Sequence, residues 1–407
     1  FVMAGHLVLL LQIVNHAVIQ AHLFELLLTG AGLIALPCVL MFGVAGMIAD
    51  RFDKARVLQC CAWGVLLSAV WLLLCHGKGW FWVSYGSVIL LSIERSVSAP
   101  ARSGYMRHCC SQTHIARGNA WHVFFGSMAL LLSVVVFCGW YDLAFGAAKD
   151  ISLQSSVSQL TKLAFSPSIL LVIAAIGQVI VTYQLPSCSA LDKEPITGVK
   201  AWLKTPSLRQ DIQSIRKNKV VVACLVGVMS FWATSTILFI VFPQYAQEQF
   251  LAISSLGYFE IIVAGLFGMI LGALYAGHLS RLFIESGYII IAAIGLTVIL
   301  LVLPWIKPQL LIVAFFFVYG YFGGLLLVPI NALVQFGLDT PHIGRVSSVI
   351  RATLHLLIVL SVALSVVAIN SYVSTVIILR LIFVIALLVA AVSMYCVPQG
   401  LIRCVIY

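Results

Sequence analysis

Gly46-Met47-Ile48-Ala49-Asp50-Arg51-Phe52-Asp53-Lys54-Ala55-Arg56 is a short charged turn between two apolar stretches, each long enough to cross a bilayer. A spanning helix needs about 20 predominantly apolar residues. Gly46 has no side chain and lets two helices approach closely. Asp50 closes one helix, and Arg51, Lys54 and Arg56 crowd into the few residues before the next. A tight basic hairpin between two spans is what the positive-inside rule places on the cytoplasmic face.

Outward from this turn, the composition fixes the solvent. The 407 residues are 62% hydrophobic and only 9% charged, with a mean hydropathy of +1.11. A soluble chain carries about 25% charged residues. The expected class is therefore an all-α membrane protein, because helices satisfy their own backbone polar groups in lipid. The formal net charge of +10 is then no sign of nucleic acid. It records Lys and Arg held on one side of a membrane, with some attraction for anionic lipid headgroups.

The eleven cysteines form no C-x-x-C. Cys60–Cys61 and Cys109–Cys110 are adjacent pairs, and others such as Cys138, Cys224 and Cys396 sit in apolar runs. They read as small packing residues in a reduced state. No metal-ligand set, nucleophile motif or nucleotide loop stands out, so neither a metal, a cofactor nor catalysis is expected. The chain opens at Phe1 within an apolar run, without a cleavable signal peptide.

Taken in order, Phe1–Val14 reads as the outer part of a first helix. Further spans are expected near Leu23–Ala49, Val57–Cys75, Trp80–Ala99, Asn119–Tyr141 and Pro167–Leu185. Residues 187–218 form a polar connector with Pro195, Pro206 and an amphipathic run over 208–217. Six more spans follow near 219–242, 256–283, 287–305, 309–335, 344–369 and 375–397. The expected organisation is an N-terminal six-helix bundle over 1–186, a cytoplasmic connector over 187–218, and a C-terminal six-helix bundle over 219–407. With the connector inside, only Lys78, Lys149, Lys162, Lys307 and Arg380 of the 23 Lys and Arg fall on the outer side. Such segregation supports the topology.

The spacing G-x-x-x-D-R-x-x-[KR]-x-R resembles the loop between the second and third helices of the major facilitator superfamily of transporters. The resemblance implies two six-helix bundles around a central cavity, the first helix truncated here, arranged as parallel repeats. It also implies that Asp50, with Gly46, Arg51 and Arg56, belongs to a gate in which the carboxylate faces a helix N-terminus. An orientation signal without gating is the other reading. The repeat is faintly visible, since Ala276-Gly277-His278-Leu279-Ser280-Arg281 occupies the matching place in the second half. Ser280 replaces the acid there, and Asp53 stands where the superfamily usually has glycine.

Ser98-Ala99-Pro100-Ala101-Arg102-Ser103-Gly104 with Ala116-Arg117-Gly118-Asn119, and Gly323-Gly324-Leu325-Leu326-Leu327-Val328-Pro329-Ile330-Asn331-Ala332-Leu333-Val334-Gln335, narrow the likeness. They resemble segments of bacterial lysophospholipid transporters. Phe231-Trp232, Phe242-Pro243-Gln244-Tyr245-Ala246 and Gly344-Arg345-Val346 are similar to members fused to an acyltransferase. The resemblance implies a flippase that moves lysophospholipids such as lysophosphatidylethanolamine from the outer to the inner leaflet of the bacterial inner membrane for re-acylation. Its implied partners are the lysophospholipid, membrane lipids and a fused or associated acyltransferase. The apolar tail over 397–407 would suit a chain continuing into such a domain, and equally a frayed terminus. The sequence departs from the family where a Glu after Asn119 gives way to His122 or Val123, where the basic residue that some members carry is replaced near Phe239, and at Ser347, Ser348, Arg351 and Thr353.

Ionisable groups within apolar spans cost roughly 2.5–3.5 kcal/mol on insertion scales and mark a pathway. Glu94 and Arg95 are adjacent on one helix, about 100° apart, and cannot both face one ligand. Arg95 or Arg102 is the expected phosphate contact, with Arg351 second, because a guanidinium offers planar donors to phosphate oxygens; positive-inside anchoring is the alternative. Glu260 could meet an ammonium, cap its own helix or face water. His122, a candidate substrate contact, and His355 lie within or near the cavity-facing helices, as packing histidines or a proton relay, and Asn331 and Gln335 share one face, for interhelical bonding or for ligand. A proton-coupled drug or metabolite exporter and a non-transporting scaffold for an acyltransferase are the rival readings.

Overall fold

The computed structural model describes residues 1–17, 23–110, 114–148, 156–187, 212–213, 215–216, 219–249, 255–280, 284–337 and 343–396. The connector expected over 187–218, Arg281 and the tail over 397–407 lie largely or wholly outside them. Among the described residues the chain is helical throughout its length. The helices are α1 (Val2–His16), α2 (Leu23–Leu40), α3 (Phe42–Arg51), α4 (Lys54–Lys78), α5 (Phe81–Gly86), α6 (Val88–Cys109), α7 (Ile115–Ala147), α8 (Val157–Leu163) and α9 (Phe165–Tyr183). Then follow α10 (Lys219–Glu248), α11 (Ser255–Leu279), α12 (Gly287–Val302), α13 (Gln309–Gly337), α14 (Ile343–Asn370) and α15 (Thr375–Cys396). Among the described residues, eight helices are long and apolar enough to cross a membrane, or up to nine if α2 and α3 count as one span; α1 and α15 add shorter apolar helices.

Two expected spans are interrupted. The second bends by 55° between α2 and α3. Pro37 inside α2 removes a backbone donor and crowds the preceding turn, and Met41, at φ −100° and ψ 1°, leaves the helical region. Ser92 Oγ donates to the Ile34 carbonyl in that loosened turn. The fourth span is broken at Ser87 between α5 and α6, where Trp71 Nε1 donates to Ser87 Oγ at 2.9 Å. The helix α6 then runs on to Cys109, well past the expected end.

The chain divides into two compact units. The first comprises Phe1–Tyr105, Leu132–Ser207 and Pro341–Leu356, so it holds α1 to α5, most of α6, the end of α7, α8, α9 and the first half of α14. Its largest helix contact is α4 against α9. His6 and His76 are fully buried in it, donating to the Ser84 carbonyl at 3.0 Å and bonding Ser168 Oγ at 2.5 Å.

The second unit comprises Met106–Leu131, Leu208–Thr340 and Leu357–Tyr407. Its core is the pair α11 and α13. Gly268 and Gly272 on α11 lie against the carbonyls of Phe317 and Tyr321, and Gly320 and Gly324 on α13 lie against those of Gly265 and Met269. A Cβ at any of these positions would collide with backbone. Helices in lipid associate by close van der Waals packing, and small residues four apart permit it. Aromatic rings fill the rest, with Phe231 and Tyr319 stacked at 6.0 Å and Ser235 bonded to the Tyr319 hydroxyl at 2.8 Å.

Candidate functional site: a latched helix end and an arginine-lined cavity

Two neighbouring features of the first unit combine into one site. The first is the end of α3. Asp50, 2% exposed, accepts from the Gly344 amide at 2.7 Å and from the Arg345 amide at 3.1 Å. These amides belong to the first turn of α14, where N–H groups have no partner within the helix and the helix dipole favours an anion. The backbones also approach closely at Gly46, where a Cβ would lie 2.6 Å from Arg345 Cα. A Cβ at Gly344 would lie 2.5 Å from Asp50 Oδ1. Asp53 accepts from the Ala55 amide at 2.9 Å and so caps α4, a task that glycine cannot perform. Arg51 is partly buried and Arg56 exposed.

The second feature is a narrow cavity lined by Cys38, Phe42, Arg95, Ser96, Ala99, Ser348, Arg351 and His355. Its walls come from both sides of the α2–α3 bend, from α6 and from α14. Arg351 Nη2 donates to Ser103 Oγ at 3.1 Å, while its buried Nε has no hydrogen-bond partner. Arg95 Nη1 points to Met3 Sδ at 3.7 Å, a weak acceptor. Arg102 lies two turns beyond Arg95 on α6, and its charge acts on both Arg95 and Arg351. Of the adjacent pair, Arg95 lines the cavity and Glu94 does not; Glu94 Oε1 is buried without a hydrogen-bond partner. Guanidiniums outnumber carboxylates here, and their donors are incompletely used. Such a cavity suits an anion with several oxygens.

The Major Facilitator Superfamily family model matches residues 2–362. The chain belongs to the major facilitator superfamily. Solved structures agree on the fold of this transporter. It is similar to the human organic anion transporter MFSD10 (TETRAN), at 13% identity and TM-score 0.67 over 97% of this chain and 98% of that one. The fucose:proton symporter FucP of E. coli is 11% identical, with TM-score 0.67 over 96% and 97% of the two chains. The proton:xylose symporter XylE is 14% identical, with TM-score 0.64 over 98% and 94%. Comparison with curated proteins finds no match.

The remaining residues singled out in the transporter's sequence fall in its second unit. Gln335 on α13 makes a reciprocal amide pair with Asn119 on α7, Asn119 Nδ2 donating to Oε1 at 3.1 Å and Gln335 Nε2 donating to Oδ1 at 3.2 Å. Asn119 is 1% exposed and also donates to the Ile115 carbonyl at 2.9 Å. Asn331, one turn earlier on α13, is partly buried. His122 is exposed on α7. Glu260 is exposed on α11 and accepts from Gln309 Nε2 at 3.0 Å, an end-of-helix contact. None of these lines the arginine cavity. Sequence reading missed Cys38 and Ser96, which do line it, as does Ser348, noted in the sequence only as a departure from the family. Pro37 beside Cys38 was the available signal, because a proline within a span marks a bend.

Proposed function

We propose that this transporter is a lysophospholipid flippase of the bacterial inner membrane. It would take a single-tailed phospholipid such as lysophosphatidylethanolamine from the outer leaflet and deliver it to the inner leaflet by alternating access. The observation that carries the reading is the cavity in which Arg95 and Arg351 face one space with Arg102 nearby. A phosphodiester headgroup offers the oxygens that these donors lack, while Phe42 and Ala99 give apolar wall. The α13 stretch Gly323–Gln335, with its likeness to the lysophospholipid transporters, supports the same substrate class. In this scheme Asp50 holds α14 until the gate opens, the polar connector is cytoplasmic, and a fused or associated acyltransferase restores the missing chain.

The test is transfer of headgroup-labelled lysophosphatidylethanolamine from the outer leaflet of proteoliposomes, with and without a pH gradient. Transfer by the native protein, reduced at least about tenfold in Arg95→Gln or Arg351→Gln, supports the proposal. Unchanged transfer in both variants would overturn the site. Absence of lysolipid transfer alongside gradient-driven movement of another organic anion would favour the exporter reading instead.

A further inference from the structure

The arginine cavity contains a nucleophile as well as cations. Cys38 lies one residue after Pro37, just before the α2–α3 bend, and its Sγ accepts from Ser96 Oγ at 3.1 Å. His355 on α14 lines the same cavity as this thiol. Its Nδ1 is 2.8 Å from the Arg351 carbonyl. Only a donor can face a carbonyl oxygen, so Nδ1 carries the hydrogen and Nε2 presents a lone pair. A thiol, a base whose tautomer is fixed, and a backbone group that orients the base reproduce the arrangement that activates nucleophilic cysteines. Arg95 and Arg351 line the same space and favour a thiolate over a thiol. Arg351 Nε, buried and without a hydrogen-bond partner, leaves a donor for a guest anion.

We infer that Cys38 is a reactive thiol and that the cavity is a modification site for small anionic disulfides and thiosulfonates. The Cys38 proton passes to His355 Nε2, and the thiolate sulfur attacks the sulfenyl sulfur of the bound reagent. One S–S bond forms as another breaks, and the electron pair of the broken bond leaves on the departing thiolate or sulfinate. The disulfide or thiosulfonate is itself the oxidant. The product places a negative group among the guanidiniums, where it occupies the space assigned to the substrate's headgroup. The inference rests on reading this cavity as an anion site.

The experiment labels the full chain in detergent micelles with 2-sulfonatoethyl methanethiosulfonate or its trimethylammonium analogue, and follows each cysteine by peptide mass spectrometry. Cys38 is expected to react at least about tenfold faster with the anionic reagent, since a cationic pocket concentrates anions by that order. The exposed Cys60 and Cys109 serve as internal references without that preference. Arg351→Gln should abolish the preference, and His355→Phe should slow both reagents alike. If Cys38 in the native protein stays unlabelled, or reacts without charge preference, the inference fails whatever the variants do. A separate arm adds lysophosphatidylethanolamine before labelling. Absence of protection with the charge preference intact would count against the lysophospholipid reading and leave the reactive thiol standing.

Discussion

The Asp50 carboxylate on α3 bridges the first turn of α14, Oδ1 accepting from Gly344 N at 2.7 Å and Oδ2 from Arg345 N at 3.1 Å. Both oxygens are used by backbone donors, and the group is buried. Hydrogen bonds to a charged group contribute about 1.5–3 kcal/mol each.

Asp50→Asn keeps the shape but removes the charge and leaves one oxygen to accept. Its melting temperature should fall by several degrees, since about 1–2 kcal/mol is lost. If α14 moves as the proposed alternating access requires, transport should drop more than binding, because Asp50 touches the end of that helix and not the cavity. Fluorescence-detected melting and proteoliposome transfer, measured on the same preparation, separate the two effects. Equal losses in binding and transport would argue against a gating role.

Gly46→Ala adds a methyl 2.6 Å from Arg345 Cα, a backbone atom that cannot rotate away. Overpacking of this kind costs about 1–3 kcal/mol. The expected result is a lower melting temperature together with faster modification of a cysteine introduced at Arg345. Gly64→Ala, at a position where a Cβ meets open space, is the control and should change neither.

The Asn119–Gln335 pair is suited to a double-mutant cycle. Each alanine substitution strands the opposite amide in a buried place, at about 1–3 kcal/mol. Removing both should cost clearly less than the sum, giving a coupling of about 1 kcal/mol or more. Urea or thermal unfolding in detergent reads the four variants. Strict additivity would mean that the two amides do not depend on each other.

Arg351→Lys preserves the charge and discards the planar fork. Its ammonium can replace only one of the directions that the guanidinium offers, and the bond to Ser103 is weakened. Binding of a phosphate-bearing lysolipid should weaken roughly tenfold, which corresponds to about 1.4 kcal/mol. Ser103→Ala should lose less, as it frees one donor without moving the charge. Isothermal titration with a soluble short-chain lysophospholipid checks the order of the two effects.

Much of the architecture could be read before any coordinates, because a run of some twenty apolar residues has few alternatives in a bilayer. The bends were harder. Pro37 was visible as a letter, but the 55° change of direction at Met41 depends on what fills the space beside it. Gly265, Gly268 and Gly272 are visible as small residues in an apolar run, but their backbone partners on α13 follow only from the fold. The cavity was half legible. Arg95 and Arg351 stood out as charges in apolar spans, whereas Cys38 and Ser96 look like ordinary small packing residues in sequence. Cys38 and His355 lie at opposite ends of the chain, and no spacing rule links them. Gln335 and Asn119 each drew notice separately, but their mutual bond needed the topology of α7 and α13.

The bend at Met41 also works as a gear. Cys38 lies on one rod and Phe42 on the other, both against the cavity, and Asp50 sits eight residues farther along the second rod. Eight residues of helix span about 12 Å, so a swing of about 10° at the elbow carries the carboxylate about 2 Å. A displacement of that size is enough to part a hydrogen bond. A small adjustment where a guest would sit would therefore be magnified at the far tip, where the carboxylate fastens α14.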